Sequence, residues 1–155
     1  MRFLTIKFFM KARIIYYLMT DSKLDGNYLR LERGLKQFNY QLVPVSYSDL
    51  LKISAQDYSF HVVCIVASKS DKIYYERKLS KIVRMLLRNK DVCFQVVSSF
   101  ESISEYGSST SKQNYQFSLL PLKLNRFMYD VIEFESRSRD EERKWPGGRS
   151  PRMTL

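Results

Sequence analysis

Few side chains in this chain could do chemistry, and their positions limit what that chemistry could be. An acid in a polar turn (Thr20-Asp21-Ser22) follows one apolar run, Ser68 follows a second run ending Val66-Ala67, and Ser98 closes a third. One carboxylate and two hydroxyls at the ends of apolar runs match no reaction by themselves, and phosphoryl transfer, the chemistry to test them against, asks for more. Mg²⁺ keeps near-octahedral oxygen coordination and needs more than one acid. A covalent phosphoryl intermediate needs a nucleophilic carboxylate, and the transferred charge needs a positioned cation. Asp25 lies farther along and is read as the opener of a helix. Asp71 stands several residues beyond the second run, too far for a simple replacement, and the residue before Pro121 is the uncharged Leu120. Asp21, Ser68 and Ser98 therefore read as a degenerate pocket with no catalytic residue, no metal and no cofactor.

Positive charge is the other resource. Lys+Arg number 26 against 16 Asp+Glu, a formal net charge of +10. Arg77, Lys81, Arg84 and Arg88 are spaced 4, 3 and 4, which places them on one stripe of a helix, while Leu79, Ile82, Val83 and Leu86 form the opposite, core-facing stripe. Between Lys69 and Lys90, eight basic residues stand against Asp71 and Glu76, so +6 of the +10 is concentrated there. Such a face suits an acidic protein surface, an anionic messenger or nucleic acid, or else it only keeps an amphipathic helix wet. No helix-turn-helix, zinc module or RNP-like aromatic strand accompanies it. The plain solvated face is the simplest account; among partners, an acidic protein is the leading expectation and nucleic acid or nucleotide the alternative.

Other chemistries find no material. Cys64 and Cys93 cannot make a disulfide framework, no Cys/His cluster offers a zinc site, and each Cys sits in an apolar run as a buried small hydrophobe. Five glycines allow neither a Walker loop nor GxGxxG. His61 is the only histidine and opens a strand, where it reads as structural. Tyr16-Tyr17 and Tyr74-Tyr75 read as half-buried with phenol oxygens reaching water, and Asp140-Glu141-Glu142 as a solvated charge run. No run approaches the ~18 apolar residues of a membrane span. Lys7 and Lys11 break the apolar leader and no small-residue cleavage site follows, so a cytoplasmic protein is expected. Met10 could equally be the natural start.

The elements that must position these residues alternate. Ile14–Met19 is of strand type, and Tyr28, Leu31, Leu35 and Phe38 then share a helical face. Leu42–Val45 is a second strand, followed by a short helix that Ser46 or Ser48 can cap. Val62–Ala67 is a third, Tyr75–Arg88 the best helix, Val92–Val97 a fourth strand, Phe117–Leu120 a fifth and Lys123 to Phe134 the last helix. In the serine-rich stretch before strand five, at most Phe100–Tyr106 is helical. Apolar strands alternating with helices predict an α/β, three-layer, doubly wound, parallel five-stranded sheet of order 2-1-3-4-5 with its fourth helix short or missing. Residues 1–11 are a leader, 12–134 the domain, and 135–155, with Trp145, a solvated tail.

From about Ala12 to Phe134 this pattern resembles the receiver domain of bacterial response regulators. Asp21 after strand one, Ser98 at the end of strand four, and Pro121 with Phe127 six residues later stand where receivers carry an acidic metal ligand, a phosphoryl-sensing hydroxyl and a Lys-Pro before the last helix. Receivers place a nucleophilic Asp at the end of strand three, where this chain has Ala67-Ser68-Lys69. The resemblance implies a degenerate, flavodoxin-like pseudo-receiver in signalling: not an enzyme, but a phosphorylation-independent protein-interaction module. It also implies a possible homodimer through strand five and the last helix.

Overall fold

A computed structural model describes residues 13–20, 24–55, 59–89, 91–107 and 114–144. Strands β1 (Arg13–Leu18), β2 (Tyr40–Val45), β3 (Phe60–Val66), β4 (Val92–Ser98) and β5 (Tyr115–Leu119) form one sheet, parallel throughout, in the order β2-β1-β3-β4-β5. That is the predicted doubly wound, flavodoxin-like arrangement. Every residue of β3 and β4 is buried, as strands covered on both faces must be. Two apolar layers cover them. Residues of α1 (Gly26–Lys36) and α4 (Leu124–Lys144), among them Leu31, Leu35, Phe127 and Val131, pack on one face. On the other face lie α2 (Tyr47–Ser54), α3 (an α segment Lys69–Tyr74, a π turn Tyr75–Leu79 and an α segment Ser80–Leu86) and a 3-10 segment Glu101–Gly107.

Local chemistry sets most boundaries. Asp25 opens α1 as expected, its Oδ1 accepting from the backbone N–H groups of Asn27 at 3.0 Å and Tyr28 at 3.3 Å. The helix stops at Lys36. Phe38 therefore falls in the turn before Asn39, whose φ is +62°, and is exposed instead of sharing the face of Tyr28, Leu31 and Leu35. Gly34 lets α4 approach α1, because a Cβ there would stand 2.5 Å from Leu124 Cδ2. Ser46, not Ser48, caps α2, accepting from the Asp49 N–H at 3.2 Å. The 3-10 segment replaces a fourth helix and buries Ile103 completely.

Two expectations need correction. Helix α3 begins at Lys69, not Tyr75, because Ser68 and Asp71 form a capping box ahead of it. Tyr75 is fully buried, and its hydroxyl, like that of Tyr115, meets no partner, so these phenols do not reach water. Cys64 and Cys93 are buried as expected, and burial pushes both thiols up, Cys93 to about 12. Among the described residues no helix is long and apolar enough to cross a membrane. The leader and Trp145 lie outside the described residues.

The last helix runs to Lys144, well past Phe134. Glu135 accounts for the first part of that extension. Its Oε1 accepts from Arg13 Nη1 at 2.6 Å and from the Tyr40 hydroxyl at 2.9 Å, and its Oε2 lies 3.2 Å from His61 Nε2. Helix α4 is thus tied to the amino ends of β1, β2 and β3, and His61 has the structural role expected of it. Burial by itself pushes the Glu135 carboxyl up. The hydrogen bonds to His61 and Tyr40 and the Coulombic pull of His61 and Arg13 outweigh burial and hold it below its ordinary range. A carboxyl depressed in the fold binds fewer protons there than in the unfolded chain. Its stabilisation is complete above the ordinary carboxylate range and is lost as pH falls through the depressed value. Glu135→Gln is expected to lower the thermal midpoint at about pH 7, and the gap from the parent should close as the pH is taken down through about 4. Thermal melts followed by circular dichroism across that range check it.

Candidate functional site: the carboxyl rim of the sheet and the outer face of α3

The expected pocket lies where the carboxyl ends of β1, β3 and β4 meet. Asp21 lies outside the described residues. Thr20, beside it in sequence, is described, and its hydroxyl donates to Asp71 Oδ1 at 2.8 Å. Asp71 Oδ2 accepts from the backbone N–H groups of Ser68 at 3.2 Å and Ala67 at 3.4 Å, and Ser68 Oγ accepts in return from the Asp71 N–H at 3.1 Å. The capping box therefore folds back to the rim a carboxylate that sequence distance alone had set aside. The pattern Ser68-Lys69-Ser70-Asp71 carries the signal: a hydroxyl followed three residues later by an acid marks a helix start.

This carboxylate is built into the scaffold. It is buried, with one oxygen on the hydroxyl after β1 and the other on the backbone at the head of α3, so it ties two neighbouring strand ends together. The structure thus brings Thr20, Ser68 and Asp71 together. Ser98 is separate from them in its bonding. It is fully buried, its Oγ accepts from the Phe100 N–H at 2.9 Å, and its carbonyl accepts from the Leu120 N–H at 3.0 Å. Its hydroxyl turns the chain into the 3-10 segment. Among the described residues no group of three His, Cys, Asp or Glu side chains could hold a metal ion.

Arg77, Lys81 and Arg84 are exposed on α3, and Arg88 is exposed in the turn after it, because the helix ends at Leu86 and not at Arg88. Leu79, Val83 and Leu86 are buried beneath, with Ile82 half-buried. Among the described residues none of Arg77, Lys81, Arg84 or Arg88 makes an ion pair. The nearby acid Glu76 pairs weakly with Lys72, at 3.9 Å, and Lys72 also stands 5.5 Å from the centre of the Phe100 ring. Sequence periodicity does not reveal the π turn that contains Arg77. Buried Asp71, Tyr75, Leu79 and Val83 recur every fourth residue, and each step of four overshoots an α turn of 3.6 residues. A wider turn recovers the drift and keeps all four inward.

Asp71→Ala removes the side-chain half of the capping box that Ser68 opens, and leaves the Thr20 hydroxyl and two backbone N–H groups without that acceptor. The expected loss is about 1–3 kcal/mol in urea unfolding, with Asp71→Asn losing less because its carboxamide oxygen still accepts.

No protein-family model matches the chain, and no curated protein matches it.

Proposed function

We propose that this chain is a non-catalytic, receiver-like signalling module that docks an acidic protein surface through the outer face of α3. The observation that carries the reading is the run of four exposed cations, Arg77, Lys81, Arg84 and Arg88, with no ion-pair partner among the described residues. Exposed charge of one sign on a rigid helix steers an oppositely charged partner and sets its orientation. The rim supports the non-catalytic part. Asp71 and Ser98 have their oxygens committed to backbone and hydroxyl donors, and the Ala67-Ser68 end of β3 offers no attacking carboxylate. A second contact, between copies of the chain through β5 and α4, draws support from Leu119, Tyr129 and Ile132, which are large, apolar or aromatic, and exposed.

Two measurements test the proposal. Incubation with Mg²⁺ and acetyl phosphate is expected to leave no phosphate on the protein, and an alkali-labile phosphate on Asp21 or Asp71 overturns the non-catalytic reading. In fluorescence anisotropy, a labelled polyglutamate peptide is expected to bind the parent at ~50 mM salt and to be released towards ~200 mM. Glu at positions 77, 81, 84 and 88 together should abolish that binding. If a mixed-sequence oligonucleotide binds more tightly than polyglutamate and is lost in the same variant, the face serves nucleic acid instead.

A further inference from the structure

On the layer opposite α3, a cleft of about 300 Å³ opens between β4, β5 and α4. That is at the small end of ligand sites. Gln95 and Gln116 are register partners across β4 and β5, both line the cleft, and neither carboxamide makes a hydrogen bond among the described residues. Gln95 is 6% exposed and sits among apolar neighbours in a central strand, where Val and Ile are the ordinary choices. Its amide atoms are not sealed in the core as the hydroxyls of Tyr75 and Tyr115 are; they face the cleft, where a ligand edge can reach them.

The rest of the lining is graded. Asp130 stands across the cleft, its side chain 15% exposed, and burial pushes its carboxyl up while Arg126, 4.0 Å away, pulls it down. Toward the start of α4 the lining turns cationic, with Lys123 at the helix N-terminus and Arg126 one turn on. The first turn of α4 holds no acid to compete for its N–H groups. The helix dipole adds to the positive end.

We infer that this cleft binds a mononucleotide, the base against Gln95, Gln116 and Asp130 and the phosphate toward Lys123, Arg126 and the start of α4. A carboxamide presents a donor and an acceptor in one plane, the complement of a nucleobase edge, and a carboxylate accepts from ring or exocyclic N–H groups. The cationic end accounts for an anionic substituent on the same ligand. This inference is independent of the docking role of α3, which lies on the other face of the sheet, but it shares β5 and α4, Leu119 included, with the contact proposed between copies of the chain.

Isothermal titration calorimetry with the four ribonucleoside monophosphates, the matching nucleosides and inorganic phosphate tests it. At least one monophosphate should bind with a Kd below about 1 mM, and the Gln95 and Gln116 side-chain amide resonances should shift in NMR titrations. Gln95→Leu and Gln116→Leu should each weaken binding about tenfold or more. Gln116 is only half-buried, so its variant keeps the test open if Gln95→Leu fails to fold. Lys123→Glu with Arg126→Glu should weaken the nucleotide by a similar factor and leave its nucleoside unaffected. No nucleotide binding, phosphate binding as tightly as any nucleotide, full affinity in Gln116→Leu, or resonance shifts confined to α3 would each overturn it.

Discussion

The complete burial of β3 and β4 is the constraint from which the rest of the molecule follows. Every residue of both strands is buried, so helices must lie on both sides, and parallel pairing with right-handed crossovers leaves little choice in how they get there. The same constraint distributes the polar groups. Side chains that are charged on every turn can only go to the outside of a helix, and α3 carries its cations there. The strand ends remain as the places where polar side chains can reach one another without crossing the core, and both ends are used: Asp71 with Thr20 at the carboxyl rim, Glu135 with Arg13, Tyr40 and His61 at the amino ends.

Satisfaction of these buried groups separates structural roles from open ones. Asp71 and Glu135 each accept several bonds from different elements, and removing either would strand the donors around it. Such groups hold a fold in register and have little capacity left for a ligand. Gln95 differs in kind. It lies in an inner strand, and its carboxamide faces the cleft with no protein partner among the described residues. His61 is intermediate: Nε2 meets Glu135 while Nδ1 is buried without a partner, and its ring packs edge-on against Phe134. The cleft of about 280 Å³ at that end is lined by Arg13 and Tyr40 and not by His61, so His61 carries no comparable argument.

Apolar periodicity made the sheet order and both helix layers readable from the sequence, because strands buried on two faces must be continuous apolar runs. The cap at Asp25 is readable for a similar reason, since a short side-chain oxygen before a helical run has one obvious use, whereas two serines leave the choice between Ser46 and Ser48 to the structure. Four features are not legible in the sequence. Separation along the chain hides the place of Asp71, because a capping box reverses the chain within a single turn. The π turn was hidden because a run of fours looks like a helix until its drift is summed. Glu135 stood in what read as a solvated, charge-rich tail, and nothing local marks a carboxylate whose partners lie on three strands far away in sequence. Gln95 and Gln116 escaped too, since two isolated amides in separate apolar runs become a pair only through the β4–β5 register.

The two outer surfaces that follow from this fold share one strand. β4 gives Gln95 to the cleft on the α4 side, while Phe94 and Val96 go to the core beneath α3. A ligand on one side alters affinity on the other only by favouring one of two arrangements of what lies between them. What lies between them is a central strand, buried at every position and hydrogen-bonded to a neighbour on each side, in a core packed too densely to deform continuously. Nucleotide at the cleft and an acidic partner on α3 should therefore bind additively, each reporting on its own face. The element on the α3 side with the least regular structure is the 3-10 segment after Ser98, anchored by Ile103 and the Phe100 N–H. Any coupling between the faces has its most direct route through that segment, which touches β4, β5 and α3 together.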